Sequence, residues 1–572
     1  MSVIDAAIAT ILHDSEAAHA TSAIRRTLLT GSQFGVVGVY LAMIGLLLKL
    51  HERAIVVGVM SLGLATLVAL GLAAGLMAAR GVDRLAARLM YGMLSGAIAG
   101  AVVALLPIVM DAVSLRWMFI SLSPLLSQML TFDMGVPTGS LLLVGAAAAA
   151  GLAGALLTLT PKLIRRVLIV GCTAVIIAGV FQELIQIMLQ TRETLTAVND
   201  QLYTWEGLTP QGAAIVFIVV VVVTLAWSAV ARARYRDAAT LSVAERRRSQ
   251  LTMGGVVLVG LIVLPLVAGA YIGQVMMLVG LYILMGMGLN LEVGLAGLLD
   301  LGFVAFFAVG AYVTALLTGD NAHALAAMNY WEAMPIAVLC SIAVGVMFGI
   351  PVLGVRGDYL AVATLGLGEI VRVIVLSDFA APLLGGAQGL LQIPRPSIFG
   401  YELSGPVQLF YLTLAASMVA AYFAWRLENS RLGRAWMALR DDEDVAQALG
   451  INLVRVKLLA YGLGAAFAGL AGSIFSTMLS SVYPSSFQLV ISINVLALII
   501  VGGMGSLPGV MVGAAALIGL PELLREFGEY RYLFYGAALV LMMRIRPEGL
   551  WPSPTRRREL HADDDDVAAL AE

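Results

Sequence analysis

Charge, cysteine, histidine and lysine are all scarce in this chain. Only 12% of its 572 residues are Asp, Glu, Lys or Arg, against 60% hydrophobic residues and 60 glycines. Soluble domains carry about 25% charge, so a mean hydropathy of +0.95 excludes that class. The two cysteines, Cys172 and Cys340, fall in apolar stretches and build no disulfide framework. The five histidines, His13, His19, His51, His323 and His561, lie scattered in loops and tails. They leave no metal-ligand spacing, no HExxH and no Ser/His/Asp arrangement within the spans. Lysine occurs three times, at Lys49, Lys162 and Lys457, and never after glycine. A P-loop needs Gly-Lys-Ser/Thr to hold phosphates and Mg²⁺, so this chain is not itself an ATPase of that class. The net charge of −2 gives no basis for a nucleic-acid partner.

What is abundant is apolar sequence. Stretches long enough to cross a bilayer, about 20 residues each, recur from residue 33 to residue 546. They lack the alternation of barrel strands, so an all-α polytopic membrane bundle is expected. The stretches predict sixteen spans: 33–50, 55–79, 89–110, 139–159, 166–189, 212–231, 254–272, 273–291, 295–317, 335–354, 359–377, 407–427, 455–477, 489–503, 509–525 and 529–546. With both termini cytoplasmic, 26 of the 34 Lys and Arg fall on the inner side, as the positive-inside rule requires. Asp5, Asp14 and Glu16 precede Arg25 and Arg26, the wrong charge order for a cleaved signal peptide. The basic stretch Arg232 to Gln250 separates an N-terminal membrane extension, 1–250 with six spans, from a core, 251–552 with ten. Residues 553–572 are too polar to pack and read as a disordered tail. The segment 114–130 either lies flat at the interface or forms a loop.

Two segments crowd glycines where a helix should be crossing. One is "GLNLEVGLAGLLDLGFVAFFAVGAY", Gly288 to Tyr312; the other is "VGGMGSLPGVMVGAA", Val501 to Ala515. Broken helices expose backbone dipoles to a transported substrate, which makes Gly294, Gly297, Gly302, Gly502, Gly503 and Gly505 path candidates. Close helix packing is the competing reading. Glu292 and Asp300 flank the first break and either line a polar vestibule or mark a span end. Glu369 and Arg372, three residues apart inside a span, can share one helix face and neutralise each other.

The loop 428–454 holds four consecutive acids, Asp441, Asp442, Glu443 and Asp444. Acids suit the start of a helix, and Gly450 suits its end. Between them Val445, Ala448 and Leu449 share a small apolar face. Such a helix fits a partner's groove; a solvated loop is the alternative.

These residues also resemble a known family. "DVAQALG", Asp444 to Gly450, looks like the EAA-xxx-G coupling loop of ABC importer permeases, with Ala446 and Gly450 matching and Asp444 for the usual Glu. "SRLGRAWMALRDDEDVAQALGINLVRVKLLAY", "PVLGVRGDYLAVATLGLGEIVR", "GGAQGL", "IPRPSIFG", "RIRPEGLW" and both glycine-rich segments are similar to LivM-type permeases of branched-chain amino-acid importers. The resemblance covers about residues 251 to 552. It implies an inner (plasma) membrane transport subunit, not an enzyme, that pairs with a second, LivH-like permease. Its other implied partners are two cytoplasmic ATPase subunits and an extracytoplasmic substrate-binding protein. ATP and Mg would sit on the ATPase subunits and no cofactor on this chain. The substrate would be a branched-chain or related hydrophobic amino acid, with urea and short amides as alternatives. An ion-coupled secondary transporter using Glu292, Asp300 or Glu369, or a membrane scaffold, stands as the different-class reading.

Overall fold

Backbone amides in hydrocarbon find no water, so so apolar a chain must satisfy them within helices. The computed structural model describes residues 3–82, 84–113, 115–190, 193–238, 243–320, 323–355 and 357–553, without the side chains of 3–21, 193–195, 228–238, 243–251, 253 and 358. These residues are mostly helical and form two compact units, Met1–Leu251 and Thr252–Glu572. The side chains of the basic stretch 232–250 and the expected tail after residue 553 lie outside the described residues.

The first unit contains α1 (Val3–Met43), α2 (Leu46–His51), α3 (Leu62–Ala79), α4 (Leu85–Ala112), α5 (Pro124–Thr131), α6 (Val136–Leu159), α7 (Lys162–Val180), α8 (Gln182–Gln190), α9 (Glu193–Leu202) and α10 (Pro210–Ala238). Gly45, left-handed at φ 80°, divides the expected span 33–50 between α1 and α2. The expected span 166–189 likewise divides, because α7 stops at Val180 and α8 follows after Phe181. Within segment 114–130, α5 buries Leu126, Met129 and Leu130, whereas Trp117 is 81% exposed. Helices α3, α4 and α6 meet backbone to backbone. A Cβ on Gly75 would lie 2.0 Å from the Gly151 carbonyl oxygen, and one on Gly96 would lie 2.2 Å from that of Ala147. Lipid offers no hydrophobic gain for joining helices, so close approach through small residues supplies the attraction.

The second unit contains α11 (Val243–Leu289, entering from the first), α12 (Val304–Thr318), α13 (Tyr330–Val352), α14 (Asp358–Leu376), α15 (Ala381–Leu384), α16 (Pro406–Glu428), α17 (Arg431–Asp441), α18 (Glu443–Ala448), α19 (Leu453–Leu479), α20 (Leu489–Gly502), α21 (Leu507–Ala514), α22 (Leu520–Leu523) and α23 (Tyr530–Ile545). Helix α19 is its axis, the most deeply buried of the candidate spans among the described residues. Gly310 and Gly472 let α12 and α19 touch, since a Cβ on either would come within 2.2 Å of the opposing backbone.

Among the described residues, 11 helices are long and apolar enough to cross a membrane. One of them, Gly254–Leu295, runs to 42 residues and contains Gly269 at φ 83°. Gly273 and Gly280 pack on Val407 and Thr413 of α16, yet Tyr411, between these two, donates to the Ile262 carbonyl at 2.8 Å. Residue 262 can reach that level only if the chain doubles back at Gly269. The segment 295–317 differs from expectation in its first part. From Ala296 to Phe303 the chain leaves the helical path, with Gly297 at φ 72°, and α12 starts only at Val304. The glycines that mark this segment break the helix outright.

Candidate functional site

The polar loop between α16 and α19 folds into two helices, each capped by its own side chain. Ser430 accepts from the amides of Leu432 and Gly433 at 3.1 and 3.2 Å and starts α17. Gly433 is required there, because a Cβ would lie 2.3 Å from the Glu428 carbonyl oxygen. Helix α17 is amphipathic, and Gly433, Trp436 and Leu439 form its buried face. The Trp436 indole, fully buried, donates to the Val456 carbonyl at 2.9 Å and fastens α17 to α19.

The four acids do four different things. Asp441 is the last residue of α17, where Arg440 Nη2 reaches its carboxylate at 3.4 Å. Asp442 stands between the helices in extended conformation, and its Oδ1 accepts from the amides of Asp444 and Val445, both at 2.9 Å. Glu443 opens α18 and accepts from Lys457 Nζ at 2.6 Å, with Lys457 also reaching the Leu353 carbonyl. Asp444 occupies the first turn, where the helix dipole favours a negative charge. The expectation that Asp441 to Asp444 together begin one helix is therefore corrected for Asp441. The Asp442 carboxylate competes for amides 444 and 445, so a new helix begins after it and Asp441 stays with the old one. Helix α17 escaped the sequence reading, although Ser430 followed by Trp436 and Leu439 at helical spacing signals it.

Helix α18 ends as Gly450 suggested. Gly450 is left-handed at φ 86°, its amide donates to Gln447, and Ile451 donates to Ala446 at 3.1 Å. Ala446 is fully buried beneath the helix. Val445 and Leu449 are 54% and 76% exposed, and Ala448 is exposed beside them. The apolar face thus points away from its own unit.

Both glycine-rich breaks converge on this helix pair. Helix α11 ends in a π-helical turn, Asn290–Leu295. Arg440 Nη1 donates to the Gly294 carbonyl at 3.0 Å. A Cβ on Gly297 would lie 2.8 Å from Arg440 Cγ, so the arginine stem lies flat on that glycine. Asn290 Oδ1, from the first break, accepts from the Gly505 amide in the second at 2.8 Å. Gly502 and Gly503 receive the chain's last described turn, with the Trp551 amide donating to Gly502 at 2.8 Å. Gly302 serves packing instead, since its Cβ would meet the Thr364 carbonyl oxygen of α14 at 2.1 Å.

Glu292 and Asp300 are buried within the protein, at 0% and 1% exposure. Asp300 Oδ1 accepts from the Gly302 amide at 2.7 Å, and the Glu292 and Asp300 carboxyl groups lie against each other, with no backbone donor on Oδ2 or on either Glu292 oxygen among the described residues. Gly464 makes room for Glu292, its Cβ position being 1.8 Å from Oε1. Elsewhere, Arg372 Nε donates to Glu369 Oε1 at 2.8 Å on one face of α14, with the two side chains 34% and 43% exposed. The same Arg372 borders an apolar cleft lined by Val304, Ala308, Tyr312, Val371 and Phe487. No sequence pattern pointed to that cleft, because its walls come from three separate segments.

Residues 271–543 match the family model described as branched-chain amino acid transport system / permease component. The high-affinity branched-chain amino acid transport system permease proteins LivM of Salmonella typhimurium and Escherichia coli K12 are each 41% identical over 295 residues, spanning 48% of this chain and 68% of theirs. The LivH permease protein of Salmonella typhimurium is 24% identical over 293 residues, 48% of this chain and 92% of its own. No solved structure matches the chain. With 68% of the LivM proteins covered at this identity, the chain belongs to the family of branched-chain amino acid transport permeases.

Proposed function

We propose that this chain is the membrane subunit of an ATP-driven importer for branched-chain or related hydrophobic amino acids, and that α17–α18 is where ATP hydrolysis on a partner reaches it. One observation carries the reading. Helix α18 is fixed on three sides, by the Asp442 cap, the Lys457–Glu443 pair and buried Ala446, yet it turns an apolar face outward. A rigid helix with an unpartnered apolar face suits a groove on another protein. Its neighbour α17 touches the first broken helix, which Asn290 bonds to the second at Gly505, so a push on α18 has a path to both.

In this reading the partners are a second permease, two cytoplasmic ATPase subunits that hold ATP and Mg, and an extracytoplasmic binding protein. The chain performs no hydrolysis of its own. Similarity to both LivM and LivH proteins supports a paired permease. Sixteen spans with both termini inside follow if Gly254–Leu295 crosses twice, and if α12, α23, the segment Leu507–Leu523 and the membrane half of α1 each cross once. That topology puts the breaks at 292–294 and 503–508 on the same inner side as α17–α18.

The test acts on the face and its cap. Gly450→Val places a β-branched residue at a left-handed φ, costing about 1–2 kcal/mol, and Asp444→Lys reverses a charge beside the apolar face. Both variants are expected to insert normally and to lower substrate uptake per ATP hydrolysed about tenfold, within the usual range of coupling energies. Unchanged uptake in both, measured in proteoliposomes containing the full complex, contradicts the proposal.

A further inference from the structure

We propose that the first unit holds a site for a phosphate group at the ends of α3, α4, α6 and α7, built to take the headgroup of an anionic phospholipid. A cavity of about 470 Å³ lies there, lined by Arg80, Arg88, Arg165, Thr158 and the apolar Leu76, Leu157 and Ile169. Three guanidinium-bearing residues share one cavity, and no carboxylate lines it among the described residues. None of the three makes an ion pair among those residues.

The site is ordered from within. Arg88 donates through both Nε and Nη2 to the Val82 carbonyl, which fixes its guanidinium at the cavity wall. Arg26 Nη1 donates to the Arg80 carbonyl at 2.6 Å and ties α1 to the same rim. The side chains of Arg80 and Arg165 make no hydrogen bond within the described residues, and a guanidinium offers five donors. A phosphate, with planar pairs of oxygens, matches that fork geometry.

Position argues for a lipid as its source. Helices α3 and α6 end at Ala79 and Leu159, and α4 and α7 begin at Leu85 and Lys162. All four are candidate spans, so the cavity sits where hydrocarbon gives way to headgroups. Its walls run the same way: apolar side chains from within the spans, arginines from their ends. Exposed Leu156, Leu159, Leu163 and Ile164 continue the apolar surface on which acyl chains can lie. Basic pockets between spans are a recurring way to hold anionic headgroups.

The experiment uses the full chain, delipidated in detergent and examined by native mass spectrometry. Phosphatidylglycerol is expected to stay bound where phosphatidylcholine does not. Removing positive charge should weaken retention about fivefold per arginine, so Arg80→Gln/Arg88→Gln/Arg165→Gln together lose about a hundredfold. The variant Arg84→Gln/Lys162→Gln/Arg166→Gln removes the same charge from exposed positions that do not line the cavity, and it should retain lipid. If the cavity triple does not fold, Arg165→Gln alone serves, with a fivefold loss expected. Equal retention in the two triples, or equal retention of the two lipids, overturns the site. A parallel thermal-shift arm with inorganic phosphate separates the sources. Stabilisation by phosphatidylglycerol but not by phosphate assigns the site to a headgroup. Stabilisation by phosphate alone, lost in the cavity triple, overturns the lipid assignment.

Discussion

Arg440→Ala is expected to cut uptake by the assembled transporter about tenfold or more, while leaving the basal ATPase rate of the complex unchanged. The side chain joins the cytoplasmic helix pair to the first broken helix, through its bond to the Gly294 carbonyl and its contact with Gly297. That break is in turn tied to the second through Asn290 and Gly505. Removing the link leaves three elements that each fold but no longer move together. Coupling energies of about 1–3 kcal/mol correspond to roughly 5–150-fold effects, and an arginine that bonds α17 to the first break belongs in that range. Arg440→Lys keeps the charge but not the fork, so it should recover part of the loss. Stimulation of ATPase by substrate and binding protein should fall with uptake. If uptake and stimulation both survive in Arg440→Ala, the link carries nothing.

Lys457→Met should loosen α18 from the unit with little effect on the spans. The lysine side chain is 4% exposed and its partner Glu443 is 21% exposed, so removing the cation takes the opposite charge away from a largely buried carboxylate. Breaking such a pair costs about 3–5 kcal/mol, discounted here toward the lower figure because Glu443 keeps some access to solvent. A local cost of about 3 kcal/mol corresponds to roughly hundredfold faster exchange. Amide hydrogen exchange over residues 443–451 should show it, while exchange in α12 and α13 stays slow. The double variant Glu443→Gln/Lys457→Met removes both charges and should restore most of the protection. Fast exchange persisting in the double variant would point to lost packing around the lysine stem instead.

Much of this was legible because apolar length and glycine punctuation are local properties. The apolar helical character of the chain, the cap at Gly450 and the apolar positions of α18 all follow from residues within a turn or two of one another. What escaped reading depends on distant partners. Nothing near Arg440 indicates that its donor meets a carbonyl 146 residues earlier. The acid run looked like one helix start because each acid suits that position. Its division between α17 and α18 is decided by Asp442, whose carboxylate captures two amides. Residues 295 to 303 looked like the beginning of a span because Leu295, Leu298, Leu299 and Leu301 are apolar. Yet Gly297 at positive φ and Asp300 bonded to Gly302 bend the chain before α12 begins. Glu292 read as a vestibule or span-end residue, and the space left by Gly464, 172 positions later by sequence number, buries it within the protein.

The most direct measurement places one cysteine at Leu449, 76% exposed on α18, after the native Cys172 and Cys340 are replaced by serine. The chain is assembled with its ATPase partners and treated with a short thiol-to-amine cross-linker. An adduct between Leu449→Cys and a P-loop ATPase subunit is expected, with a yield that changes when ATP is bound. An assembled, ATP-hydrolysing complex in which Leu449→Cys reacts freely with a small maleimide, yet forms no adduct with any ATPase subunit, contradicts it.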